Sequence, residues 1–172
     1  MKKIIVFAII AFAFLSARSQ GLYMPRDIKA AYKNGTRSMD GKPGKNYWQN
    51  RGIYNISITA TPPDRTIRGK ETITYFNNSP DTLRNPVIKL FLNIHKPGAP
   101  RNGGVSADYL NSGVHIDAVT ADGKKVNWPN NPFAFTAQQF RLPASLPPHG
   151  SVQLTFDWHY EISLESNREG MI

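Results

Sequence analysis

No cysteine occurs in the 172 residues. Disulfide staples, thiolate zinc ligands, thiol nucleophiles and c-type haem attachment are therefore excluded. Acidic residues are scarce, 12 against 21 Lys and Arg, for a formal charge of +9. The longest apolar run, residues 4–15, falls short of the roughly 20 residues of a bilayer-spanning helix. H-E-x-x-H, G-x-S-x-G, a Walker phosphate loop and an EF-hand loop are all missing. There is no internal repeat, and no helix-length periodicity follows Gly52.

What stands at the start is "MKKIIVFAIIAFAFLSARSQ". Two lysines, an apolar stretch and the small residues Ser16, Ala17 and Ser19 make the three regions of a secretory signal. Ala17 and Ser19 suit cleavage before Gln20, so residues 1–19 are expected to be a leader. The rival reading is an uncleaved N-terminal anchor. Cleavage leaves 153 residues, enough for one domain with an apolar core and no need of disulfides. Export to a periplasmic, secreted or cell-surface location follows as an expectation, with no stable membrane span.

Three basic residues leave with the leader, so 18 basic face 12 acidic residues, a balance of +6. A nucleic-acid binder concentrates such charge in a stripe. Here Lys29, Lys33, Arg37, Lys42, Lys45, Arg51, Arg65, Arg68 and Lys70 are scattered. "KNGTRSMDGKPGK" is the densest part and holds Gly and Pro, so it reads as a solvated linker. No nucleic-acid partner is expected.

Residues 20–50 read as an N-terminal arm. "MPRDIKAAYKNG" predicts one short helix, with Pro25 in its first turn, Asp27 at the positive dipole end and Gly35 closing it. Ile28, Ala31 and Tyr32 share a face, and Tyr47 and Trp48 are expected to anchor the arm. From residue 51 to 172 the pattern has period two. "IYNISITATPP" and "TIRGKETITYFNNSPD" read as strands stopped by Pro and Asn clusters. "NPVIKLFLNIHKPGAP" is apolar on both faces and predicts a central strand. "VHIDAVTADGKKVNWP" predicts a hairpin turning at Asp122-Gly123. "NPFAFTAQQFRLP" and "LPPHGSVQLTFDWHYEIS" complete the set. The expected fold is all-β, an antiparallel β-sandwich with a short helical arm, possessing no closing strand at its C-terminal "ESNREGMI".

The last strand holds the most suggestive side chains. Asp157, His159 and Glu161 alternate with Val152, Leu154, Phe156, Trp158, Tyr160 and Ile162. Burying each of the latter is worth about 1.5–3 kcal/mol, together on the order of 10 kcal/mol as an upper figure. That gradient turns the acid-imidazole-acid row outward. Neighbours two apart on a strand lie about 6–7 Å from each other, whereas zinc ligand atoms lie about 2 Å from one point. The row is expected to be a solvated face. His115 and Asp117 share a strand face and are expected to form a surface pair. His95 lies in a Gly- and Pro-rich loop and is the better candidate for contact with a ligand. His149, in "LPPHG", is expected to be exposed. Three tripeptides, at Asn34, Asn55 and Asn77, match the N-glycosylation pattern, which occurs often by chance. No catalytic, cofactor-binding or metal-binding residue is assigned.

Three stretches taken together carry a resemblance: "YWQNRGIYNISITATPPDRTIRGKETITYFNNSPDTLRNPVIKLFLN", "AVTADGKKVNW" and "LPASLPPHGSVQLTFDWHYEIS". In order and spacing, over about residues 47–165, they resemble the N-terminal domain of the aminopeptidase N family of zinc metallopeptidases. The leader and "YWQNR" are similar to exported bacterial members. The resemblance implies a saddle-shaped antiparallel β-domain packed on a thermolysin-like catalytic domain of the same chain. It implies zinc-dependent hydrolysis of the N-terminal bond of peptide substrates. The family's H-E-x-x-H helix, its G-x-M-E-N strand and the Gln or Glu that grips the substrate amino group have no counterpart in these residues. His159-Tyr160-Glu161 has the wrong order for the zinc motif and sits on a strand. A truncated, non-catalytic domain, incomplete at its C-terminus and with zinc only in the full-length family, is therefore expected. The alternatives are a free-standing secreted β-sandwich that binds a protein or glycan, and a subunit docking on a zinc-bearing chain.

Overall fold

The computed structural model describes residues 23–129, 131 and 133–165. The leader-like residues 1–19 and the terminal "NREGMI" lie outside them. The chain divides into two units, one up to Tyr47 and one from Trp48 onward.

The first unit holds helix α1, Arg26–Lys33, capped by Pro25 with Asp27 in its first turn. It ends at Asn34, and Gly35 follows with φ 68°. Ile28, Ala31 and Tyr32 are half-buried and no residue of the helix is fully buried. Residues 34–46 fold back as a loop. Asn46 donates to the Asn34 carbonyl at 2.8 Å, and the Ser38 hydroxyl binds Asp40. Tyr47 and Trp48 are exposed, 51% and 42%, so neither is the buried anchor that its size suggested.

The second unit is all-β, with antiparallel strands in two sheets. Its strands are β1 (Arg51–Ala60), β2 (Thr66–Phe76), β3 (Val87–Lys89), β4 (Val114–Ala121), β5 (Lys124–Lys125), β6 (Ala137–Gln139) and β7 (Ser151–Glu161). One sheet has the order β1-β2-β7-β4-β5, and β3 pairs with β6 in a second, small sheet. Prolines 62 and 63 stop β1, since neither can donate to a ladder, and Asp64 accepts from the Thr66 amide at 2.9 Å to start β2. Positive φ at Asp122 and Gly123 makes the β4–β5 turn that the sequence predicts.

Period two works as expected on the central strands. Ile73, Val119, Ala121, Val152, Leu154 and Phe156, with Val126 just after β5, form one core with Phe140, Leu142 and Leu146 from the covering layer. Trp128 packs edge-on to Phe156, with ring centroids 6.0 Å apart. Residues 83–89 and 137–146 thus close one face of the large sheet, with Ile88 packed against the core, and complete the sandwich.

One predicted strand is corrected. β3 is only three residues long, and Phe91–His95 turns into a 3-10 helix. The apolar run concealed two polar side chains that need partners in the interior. Asn93, 3% exposed, donates to the Phe135 carbonyl at 2.6 Å and accepts the Val114 amide at 2.7 Å. In the 3-10 turn Asn93 reaches the Phe135 carbonyl and the Val114 amide, while His95 turns to the Tyr109 carbonyl, partners that come from separate segments. Among the described residues of "NPFAFTAQQFRLP" the one strand is likewise short, β6.

Candidate functional site

β7 lies between β2 and β4, so each polar side chain on its outer face has a neighbour on both sides. Its inner row behaves as the sequence implies: Val152, Leu154, Phe156 and Tyr160 are buried, and Trp158 is half-buried. Asp157, His159 and Glu161 do not converge on one another. Each is engaged across the sheet instead. Asp157 lies 3.6 Å from the Lys70 ammonium on β2. Glu161 binds the Arg65 guanidinium, which also donates to the Ile162 carbonyl at 2.9 Å. The His159 Nδ1 is 2.9 Å from both oxygens of Asp117.

The last contact depends on a bulge. Ile116 pairs with Trp158 but Ala118 pairs with Asp157, so Asp117 is the extra residue of β4. The bulge re-aims its carboxylate across the strand toward His159. His115, opposite His159 in register, stacks on it with ring centroids 4.7 Å apart and planes 4° apart. The other side of His115 meets the Ser112 hydroxyl at 2.8 Å. His115 and Asp117 therefore share a face, as the spacing suggests, but the carboxylate's imidazole is His159.

The remaining histidines divide. His149 is exposed in the turn before β7, with φ 59°. His95, the candidate for ligand contact, is instead fully buried at 0% exposure. Its ring stacks on Tyr109 at 4.2 Å and Nδ1 meets the Tyr109 carbonyl at 2.8 Å. Arg101 donates to the Lys96 and Ala99 carbonyls, at 3.0 Å in each case, and lies over the Tyr109 ring. Residues 96–112 thus wrap around His95 as a structural plug.

A zinc ion does not fit these residues. The row's carboxylates face cations and not a shared point, Glu161 at Arg65 and Asp157 beside Lys70. Among the described residues no three His, Asp or Glu side chains form a ligand group.

The feature that strand reading missed is Glu71. It sits on the inner, apolar face of β2, between Ile56 of β1 and Phe156 of β7 in register. Burial pushes its carboxyl above the ordinary glutamate value of 4.5. It opens into a cleft of about 470 Å³ between the large sheet and the segment 87–92. The available signal was parity: Ile67, Glu71, Ile73 and Tyr75 share one face, and one of them is charged. On the adjoining edge strand Tyr54, Ile56 and Ile58 continue that face and are 51–60% exposed.

No sequence-family profile matches this chain, and no curated protein matches it. Among solved structures it is similar to an M1 zinc metallopeptidase from Deinococcus radiodurans, at 17% identity over 64% of this chain and 20% of that one, TM-score 0.43. A second structure from that organism matches at 16% identity over 74% of this chain and 24% of that one, TM-score 0.45. A two-domain M1 zinc metallopeptidase bound to L-tryptophan matches at 16% identity over 74% and 24%, TM-score 0.45. Among the described residues no helix is long and apolar enough to cross a membrane. The chain spans about a fifth to a quarter of the length of these M1 zinc metallopeptidases to which it is similar.

Proposed function

We propose that this chain is a non-catalytic N-terminal β-domain of an exported zinc aminopeptidase-like metallopeptidase. One observation carries the reading. The three stretches that resemble that family are separate in sequence, yet between them they supply β1, β2, the end of β4, β5 and β7 of the large sheet, and the first also supplies β3 of the small one. In this reading zinc and its hydrolytic water belong to a thermolysin-like catalytic domain of the same protein. The residues described here contribute a rigid wall against which that domain packs. Residues 1–19 send the protein out of the cytoplasm.

The test is the coding DNA downstream of the Ile172 codon. The expected result is an in-frame H-E-x-x-H followed by a glutamate ligand; a frame without it overturns the reading. At the protein level, the purified chain with added zinc is expected to release no nitroaniline from leucine p-nitroanilide. Turnover above the zinc-only blank would place chemistry in this chain and refute the non-catalytic role. N-terminal sequencing of the exported product should begin at Gln20.

A further inference from the structure

We propose that the cleft over Glu71 binds an organic monocation, a protonated amine or guanidinium carried on an apolar or aromatic body. The site is assembled from both sheets. Glu71 projects from the inner face of β2, and the cleft is walled by Tyr54, Ile73, Phe156 and Trp158 on one side and by Val87 to Leu92 on the other. Its volume, about 470 Å³, is that of a small-ligand pocket.

Three properties select the ligand. Among the described residues no hydrogen bond or ion pair engages the Glu71 carboxylate, and desolvation alone accounts for its perturbation. A half-buried acid left without a partner on an apolar face costs stability, and an incoming cation would offset that cost. Aromatic rings flank it. Phe156 is its register partner on β7, and the Trp158 indole lies across Gly69 so closely that no Cβ fits there. Gly69 is thus the gap that lets the indole lie flat two residues from the acid. Carboxylate plus ring faces is the combination that attracts ammonium and guanidinium groups. Finally, the rim is apolar and exposed: Phe91 is 76%, Tyr54 59% and Val87 51% accessible, which suits a hydrophobic body rather than a hydrated ion. Lys89 is the other charged side chain lining the cleft, and it makes no ion pair with Glu71. It disfavours a second positive charge, hence a monocation.

This inference is independent of the metallopeptidase reading, because neither zinc nor a catalytic domain enters it. The probes are phenethylammonium, its neutral counterpart phenethyl alcohol, and phenylacetate, titrated against the protein at pH 7. The readouts are calorimetry and the indole resonance of Trp158, assigned with Trp158→Phe. The ammonium is expected to bind about tenfold tighter than the alcohol, or about 1.4 kcal/mol, with phenylacetate weakest. Glu71→Gln is expected to erase that preference, and Lys89→Met to strengthen ammonium binding. Equal affinities for ammonium and alcohol in the unmodified protein would overturn the proposal, as would a preference that survives Glu71→Gln or the absence of saturable binding. The comparison of three ligands on the unmodified protein decides the matter even where a variant fails to fold. An acetylated, amidated Phe-Lys dipeptide that outbinds phenethylammonium would assign the cation to a protein partner; the reverse order would assign it to a free amine.

Discussion

Replacing Asn77 by Ala is expected to remove about 3 kcal/mol of stability. Asn77 is fully buried just after β2. Its amide donates to the Asp81 carbonyl at 2.8 Å and to the Pro147 carbonyl at 3.0 Å. Its oxygen accepts from the Ser79 amide at 3.2 Å and the Ser79 hydroxyl at 2.6 Å. This one side chain therefore ties the end of β2 to the turn that starts β7. Alanine strands the Ser79 amide and takes one donor each from the Asp81 and Pro147 carbonyls, which keep the Ser79 hydroxyl and the Gly150 amide. An unmatched buried amide costs about 1–3 kcal/mol, and each lost hydrogen bond to a carbonyl that keeps another donor costs about 0.5–1.5 kcal/mol. Urea unfolding at pH 7 should show the loss as a lower midpoint with unchanged slope, and the melting temperature should fall by about 6–12 °C. A loss below about 1 kcal/mol would refute the reasoning. Asn77→Asp adds a second check. It keeps the acceptor for Ser79 but points a carboxylate at carbonyl oxygens, so the folded state favours its protonated form. The defect should be greatest at neutral pH and shrink as the solution is acidified through the raised folded pKa. A pH-independent defect would contradict the assigned geometry.

Gly113→Ala should destabilise by about 2 kcal/mol or more, read by the same urea titration. Gly113 has φ 80°, and a Cβ there would lie 2.5 Å from the Asn93 Oδ1 that accepts the Val114 amide. The His159–Asp117 pair is exposed on both sides, so a double-mutant cycle with alanine should give a coupling of about 0.2–1 kcal/mol, falling in high salt. A coupling several times larger would point to a role beyond surface pairing. Glu71→Gln should raise the melting temperature at pH 7. The folded carboxyl is raised above 4.5, so its penalty is present above the folded value and vanishes below the unfolded one. The gain over the unmodified protein should therefore close on acidification toward pH 4, and a gain that persisted there would refute the burial argument.

The alternation in β2 and β7 was legible because one face of each strand is dry, and a one-residue slip would carry every apolar side chain into water. The same alternation made the outward direction of Asp157, His159 and Glu161 legible. The helix of residues 26–33 was legible from its capping residues, and the β4–β5 hairpin from Asp122-Gly123, because both are local chemistry. The segment 91–95 was not. Its apolar letters suit a buried strand or a turn equally well, and the outcome rests on carbonyls that Phe135 and Tyr109 bring from far along the chain. Asn77, in a tripeptide whose match to the N-glycosylation pattern carries no function, is the same case in reverse. It is the interior partner of the distant turn at residues 146–150.

The amino-acid order by itself determined the strands β1, β2, β4 and β7 and their apolar faces, and that these residues carry no thiol. The identity of each polar partner was decided only in three dimensions. Arg65 for Glu161, Lys70 for Asp157 and Asp117 for His159 depend on strand order and on one bulge in β4. So does the unmatched state of Glu71, since parity places it on the dry face but only the packing of β3 and the neighbouring strands leaves it facing an open cleft. Local periodicity is a property of consecutive residues, whereas register and cavity are properties of segments that meet only after the chain has closed on itself.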